Sequence, residues 1–243
     1  MQGDIFGNPE VPGDRPFVNQ NSKMLKATVG DYAEVLAKQG SMVAYQGQID
    51  FDYELQSLGQ AQRLILTGER LALMRCSGQG ELFLADLARD IHVLELEGDG
   101  ICVDGSNLLA MDSGLHWDVV RVAGAVGVPG AGKAQINING HGPVAILTSG
   151  HPLVLKVTPG GYTFCDADAV IAWSTALRVS TQAAVTASNA MSLRADSGEG
   201  WQMQFQGDGW VVVQPAELAP PTQLASGWQS QDPRNLRGGG FQY

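Results

Sequence analysis

Leu94-Glu95-Leu96-Glu97-Gly98-Asp99-Gly100, followed by Val103-Asp104-Gly105-Ser106-Asn107-Leu108-Leu109-Ala110-Met111, decides the fold, because the same order of residue types occurs twice more. Upstream stands Leu25-Lys26-Ala27-Thr28-Val29-Gly30, followed by Ala37-Lys38-Gln39-Gly40-Ser41-Met42-Val43-Ala44-Tyr45. Downstream stands Leu155-Lys156-Val157-Thr158-Pro159-Gly160-Gly161, followed by Cys165-Asp166-Ala167-Asp168-Ala169-Val170-Ile171-Ala172-Trp173. Each copy reads as a strand, a Gly-containing turn, a second strand, a polar turn, and a short apolar strand ending in Ala plus a large side chain. A second marker recurs beside them: Ser77-Gly78-Gln79-Gly80, Asn139-Gly140-His141-Gly142 and Gln206-Gly207-Asp208-Gly209, each followed by an apolar run. The spacing is 62 positions from Gly78 to Gly140 and 67 from Gly140 to Gly207, a period of about 65 residues. Such a unit presents an apolar face that it cannot bury alone, so three of them are expected to close around one shared, pseudo-threefold core.

The same pattern runs along the chain between about residues 23 and 218. Leu64-Ile65-Leu66-Thr67, Gln135-Ile136-Asn137-Ile138-Asn139, Leu153-Val154-Leu155-Lys156-Val157 and Trp210-Val211-Val212-Val213 are short runs rich in β-branched residues. Gly, Asp, Asn or Pro cuts such runs at intervals of about eight to twelve residues, the spacing of strands and turns in a sandwich or barrel. Helix signals are weak: Leu82 to Ile91 could make a turn or two, and the Ala-rich Thr181 to Met191 could form a short helix but also reads as an exposed loop. The expected organisation is a flexible N-terminal tail over 1–22, a single all-β domain of three repeats over 23–218, and a flexible C-terminal tail over 219–243. Pro220-Pro221 opens that last segment, and Trp228, Phe241 and Tyr243 give it apolar side chains with which to dock on the domain or a partner.

Composition bounds the function. A chain of 243 residues, 44% hydrophobic, can bury a substantial core. Its net charge of -10, with a pI near 4.7, repels phosphate backbones and anionic headgroups, so neither nucleic acid nor an anionic membrane is expected as a partner. The stretch of ~18 apolar residues needed to span a bilayer is lacking. The opening Met1-Gln2-Gly3-Asp4-Ile5-Phe6-Gly7 lacks the basic-then-apolar order of a secretion signal, and cytoplasmic localisation is the resulting expectation. Cys76, Cys102 and Cys165 sit widely spaced in apolar runs, as buried reduced thiols do, with no CxxC pair for zinc or redox work.

The groups that could carry chemistry do not converge. Gly127-Val128-Pro129-Gly130-Ala131-Gly132-Lys133-Ala134 approaches a phosphate-binding loop, but Ala134 stands where a Mg²⁺-binding Ser or Thr belongs. The alternating Gln135–Asn139 that follows reads as a strand, where the loop requires a helix whose amides meet the phosphates. His92, His116, His141 and His151 lack the spacing of helix-borne metal ligands, although His141 and His151 bracket a strand and could meet across a hairpin. Asp50/Asp52, Asp104 and Asp166/Asp168 match no calcium loop. Asp104 and Asp166 fall in the polar turns, where Lys38 stands in the first copy, and Asp there caps backbone amides. No GxSxG elbow occurs. Trp117, Trp173, Trp201 and Trp210 lie in or beside apolar strands and read as core. No catalytic, cofactor-binding or metal-ligating residue is assigned, and no cofactor is expected.

Lys38-Gln39-Gly40-Ser41-Met42-Val43-Ala44-Tyr45, Ser77-Gly78-Gln79-Gly80-Glu81-Leu82-Phe83-Leu84-Ala85, the Leu109-Ala110 pair and Gln206-Gly207-Asp208-Gly209-Trp210-Val211-Val212-Val213-Gln214 together resemble the altered inheritance of mitochondria 24 family, also called the mitochondrial biogenesis family. The resemblance runs from about Met24 to Ala216 and departs locally at Gly130-Ala131-Gly132-Lys133, where the family usually has Gly-Glu-Gly. It implies an all-β fold of the tryptophan RNA-binding attenuator-like kind, a short double-stranded β-helix type, assembled as a homo-oligomer, with a trimer the form considered. It implies no activity or cofactor. The expected function is therefore that of a non-enzymatic, self-associating interaction or scaffold module. The alternative is a small-ligand-binding protein with a pocket between β repeats, and the C-terminal tail is the expected recruiter of any protein partner.

Overall fold

A computed structural model describes residues 3–30, 34–53, 72–120, 122, 135–183 and 201–216. The described residues form β-strands and two single-turn 3₁₀ segments, Asp4–Gly7 and Gly105–Asn107, with no α-helix among them. The first group of strands is β1 (Phe17–Asn21), β2 (Met24–Val29), β3 (Val35–Lys38), β4 (Met42–Tyr53) and β5 (Leu73–Leu84). The second is β6 (Asp90–Asp104), β7 (Leu108–Asp112), β8 (His116–Val120) and β9 (Gln135–Thr148). The third is β10 (Leu153–Val157), β11 (Thr163–Asp166), β12 (Val170–Ser174), β13 (Arg178–Ala183), β14 (Trp201–Gln206) and β15 (Gly209–Val213). All pairings are antiparallel: a twelve-stranded sheet follows the order β1-β2-β5-β3-β7-β9-β6-β12-β15-β10, with β4 on β5 and β8 on β9, and a three-stranded sheet runs β11-β14-β13.

Registers tie the strands to the sequence markers. Ala44 stands opposite Phe83, Ala110 opposite Ala145 and Ala172 opposite Val212, and in each case the register slips one residue before the alanine. Val43, Leu109 and Ile171 are thus the extra residues of three bulges, the device by which a strand bends and re-aims a side chain. Lys38 faces Leu73, Asp104 faces Gln135 and Asp166 faces Gln202, each five positions before the first glycine of a GxG marker.

Three sequence expectations change in whole or in part. Leu82–Leu84 close β5 and Asp90 opens β6, so the weak helical signal at Leu82 to Ile91 belongs to a strand, a tight turn and another strand. Leu87 and Ala88 hold positive φ in that turn. Of Thr181 to Met191, the first three residues extend β13 and the rest lie outside the described residues. Within the segment expected as a flexible N-terminal tail, Phe17–Asn21 pairs with β2, and Phe17 is buried in the core. The segment 219–243 and Lys133 lie outside the described residues.

Where one shared interior was expected, the buried apolar side chains sort into three clusters. One joins Leu25, Ala27 and Leu84 of the first group to Ile91, Leu109 and Leu147 of the second. The next holds Ile101, Met111, Ile136 and Val144, with Leu36 from before and Ile171 from after. The last packs Val157, Cys165, Trp173, Phe205 and Val211 with Cys102. The groups are linked in a row, each closing part of its neighbour's core. A fully buried Leu or Ile at such a junction contributes ~1.5–3 kcal/mol relative to exposure.

Candidate functional site

Several titratable groups are engaged in turns and at a strand junction. Asp104 is buried and accepts from the Ser106 amide at 2.9 Å and its hydroxyl at 2.6 Å, and Asp166 accepts from the Asp168 amide at 2.7 Å. Both are the turn caps that the sequence suggests. Lys38, in the corresponding place, instead donates to Asp86 at 2.7 Å. Arg89 joins this junction by donating to the Ser106 carbonyl at 2.9 Å and the Leu147 carbonyl at 3.3 Å, and burial pushes its pKa down. Asp50 and Asp52 lie along β4 opposite Ser77 and Arg75.

The histidines do not meet as the hairpin suggestion had it. His141 lies on β9 opposite Glu97, and His116 is paired with Asn139. It is His151 that comes near His92, where burial first and then that neighbour push the His92 pKa down while Asp90 opposes them. His92 Nε2 lies 3.0 Å from the Thr148 hydroxyl. Among the described residues no group of three His, Cys, Asp or Glu could hold a metal ion.

The cysteines are buried free thiols. Burial pushes Cys76 up to about 12 and Cys102 and Cys165 up to about 11, Asp166 adding to the effect at Cys165. Thiolate, the reactive form, is therefore negligible at neutral pH. Trp173 is buried against Phe205, edge to face at 5.7 Å, whereas Trp117 and Trp210 are only partly buried where they pack on the second cluster. The Trp201 side chain lies outside the described residues.

One feature escaped sequence reading. The stretch Gly7–Pro12 returns over the first group and leaves a cleft of about 810 Å³, lined in part by Pro9, Pro12, Met24, Val43, Gln46 and Phe83. Three contacts anchor the strap. Lys26, buried, donates to Glu10 at 2.7 Å and Glu81 at 3.0 Å, while the Val11 backbone exchanges hydrogen bonds with the Gln20 amide at 2.7 and 3.1 Å. The Glu10 hydrogen bond leads in raising the Lys26 pKa, and the Lys26 hydrogen bond leads in lowering that of Glu10. An apolar-flanked Lys two residues from a strand start was the available signal, but its partner Glu10 is 16 positions away.

Besides Ile5, Phe6 and Val11 in the N-terminal stretch and Leu87 in a turn, the exposed large apolar side chains among the described residues lie on or beside a few strand edges. Met42, Val43 and Tyr45 lie at the start of β4, Tyr162 and Phe164 at β11, and Leu153 and Val154 on β10. Tyr45 packs edge to face on Phe51 at 5.4 Å, and Tyr162 lies 6.3 Å from Phe164. Beyond β5, β4 pairs with no described strand, and beyond β14, neither does β11. Unpaired apolar edges are templates for further strand pairing.

An antiparallel, strand-built body of this kind, with its polar groups committed to turns and its apolar edges exposed, is an all-β protein. The family model Mitochondrial biogenesis AIM24 matches residues 17–216, and the chain belongs to that family. A crystal structure of a Streptococcus pyogenes protein shares the fold, with a TM-score of 0.66 at 22% identity over 87% of this chain and 95% of that one. No curated protein matches. No described helix is long and apolar enough to cross a membrane.

Proposed function

We propose that this protein is a non-enzymatic, self-associating scaffold or interaction module made of three equivalent β units, of the attenuator-like type that the family resemblance implies. The observation that carries the reading is the placement of exposed Met42, Val43, Tyr45, Leu153, Val154 and Phe164 on strands that lie at sheet edges among the described residues. The three-unit description is supported by the matching bulges at Val43, Leu109 and Ile171 and the matching pairs of Ala44, Ala110 and Ala172. Turn-capping roles for Asp104 and Asp166, and thiols held protonated, favour a binding role over catalysis. Three buried free cysteines suit work in the reducing cytoplasm. A trimer is the form considered, with residues 219–243 as recruiter of a protein partner.

Light scattering at micromolar concentration tests the reading: an oligomer supports it, and a clean monomer sinks it. Pull-down with and without residues 219–243 tests the tail.

A second reading, a small-ligand binder, draws on the cleft beneath Gly7–Pro12. That cleft lies against the first strand group, not between repeats. Thermal-shift screening with nucleotides, sugars and divalent ions decides it. A saturable shift that Val43→Trp abolishes would move the function to the cleft.

A further inference from the structure

Two seams join the strand groups, and they use one pattern. At the first, β3 pairs with β7: Ala37 faces Ala110 and Leu36 faces Met111. At the second, β6 pairs with β12: Val103 faces Ala172 and Cys102 faces Trp173. Placing each strand by its pairing within its own group makes Cys165 the counterpart of Ala37 and Val103, and Ala44 the counterpart of Ala110 and Ala172. The pattern thus specifies a third seam, β11 against the start of β4, with Cys165 facing Ala44 and Phe164 facing Tyr45. No described pairing makes it.

Exposure marks the same gap. Leu36 and Met111 are 1% and 0% exposed, and Cys102 and Trp173 are 8% and 3%. Their counterparts Phe164 and Tyr45 are 50% and 48% exposed. The bulge residues agree. Leu109 enters the cluster of the first group and Ile171 that of the second, both fully buried, whereas Val43 is 53% exposed and belongs to none of the three clusters. The third cluster receives no bulge residue. One end of the row therefore carries a knob and a strand edge, and the other end carries the matching edge and an interior that lacks a knob.

We propose that copies of this chain join head to tail through this unfilled seam, Met42–Gln46 of one copy adding antiparallel to the β11 edge of the next in the register Cys165 to Ala44 and Phe164 to Tyr45. The occupant is a second copy because each edge has its complement, already used twice inside the chain, only at the opposite end of the same molecule. Such a contact is heterologous and yields a closed ring or an open filament according to the rotation per copy. The inference rests on the self-association reading and names its surface.

Tyr45→Cys and Phe164→Cys proteins, made separately and mixed with a short thiol cross-linker, test it, since the native thiols are buried. Covalent dimers in the mixture but in neither protein alone are expected, and Tyr45→Lys or Phe164→Lys should reduce the particle to a monomer with an unchanged circular dichroism spectrum. A wild-type monomer would overturn both the self-association reading and the seam. A wild-type oligomer that persists in both Lys proteins would overturn the seam and leave self-association standing. Cross-linking inside one chain of a third protein that carries both Tyr45→Cys and Phe164→Cys would show the row closing on itself, and cross-links within either single-Cys protein would show like edges pairing; each overturns the head-to-tail seam.

Discussion

A methyl group on Gly78 would collide with the backbone carbonyl of Gln48, because β4 and β5 cross closely there and Gly78 holds φ at 108°. Strain and collision act together, so Gly78→Ala should cost about 2–4 kcal/mol in urea denaturation. Gly40, at φ 79° with open space around the missing Cβ, isolates the backbone part: Gly40→Ala should cost only about 1 kcal/mol. His92 sets a pH dependence of definite sign. Its pKa is lowered on folding, so the unfolded chain takes up a proton that the folded chain resists. The stability it contributes is present above the unfolded value and is lost on acidification. The fall in melting temperature from about pH 7.5 to about pH 5.5 should therefore be smaller in His92→Gln than in the parent. An equal fall in both would show that other groups dominate.

Among the elements, β1 shows what local composition conceals. Phe17-Val18-Asn19-Gln20-Asn21 follows a stretch of Gly, Pro and Asp and has too little alternation to announce a strand. Its order comes from partners elsewhere: β2 supplies the ladder, and the Asn19 amide and Ser22 carbonyl hold the Ile91 backbone at 3.2 and 2.8 Å. Phe17→Ala should cost about 3 kcal/mol and loosen that anchorage, read as faster hydrogen exchange at the Ile91 amide. An unchanged rate would mean that β1 is held without its aromatic anchor. The strands of the three internal copies were legible because their alternation is local, as was the pairing of polar turns with Asp104 and Asp166. The strap over Lys26 was not, since its ion pair spans 16 residues and only the folded sheet brings Glu10 to it.

At the scale of the molecule, sequence periodicity predicts the matching units but not how they sit, because the same apolar faces can close a ring or stack in a row. Three clusters with a knob missing from the last are visible only once Val43, Leu109 and Ile171 can be compared by burial. The proposed association would also have to overcome a net charge of -10 on every copy. The exposed apolar groups of the proposed seam, Met42, Val43, Tyr45 and Phe164, are uncharged, so its attraction would be apolar burial and backbone pairing while the long-range force is repulsive. Screening shortens the Debye length from about 30 Å at 0.01 M salt to about 3 Å at 1 M, removing repulsion without weakening apolar contact. The average mass in light scattering should therefore hold or rise as sodium chloride is raised to about 0.5 M. A particle that dissociates with salt would place ion pairs, not these edges, at the contact.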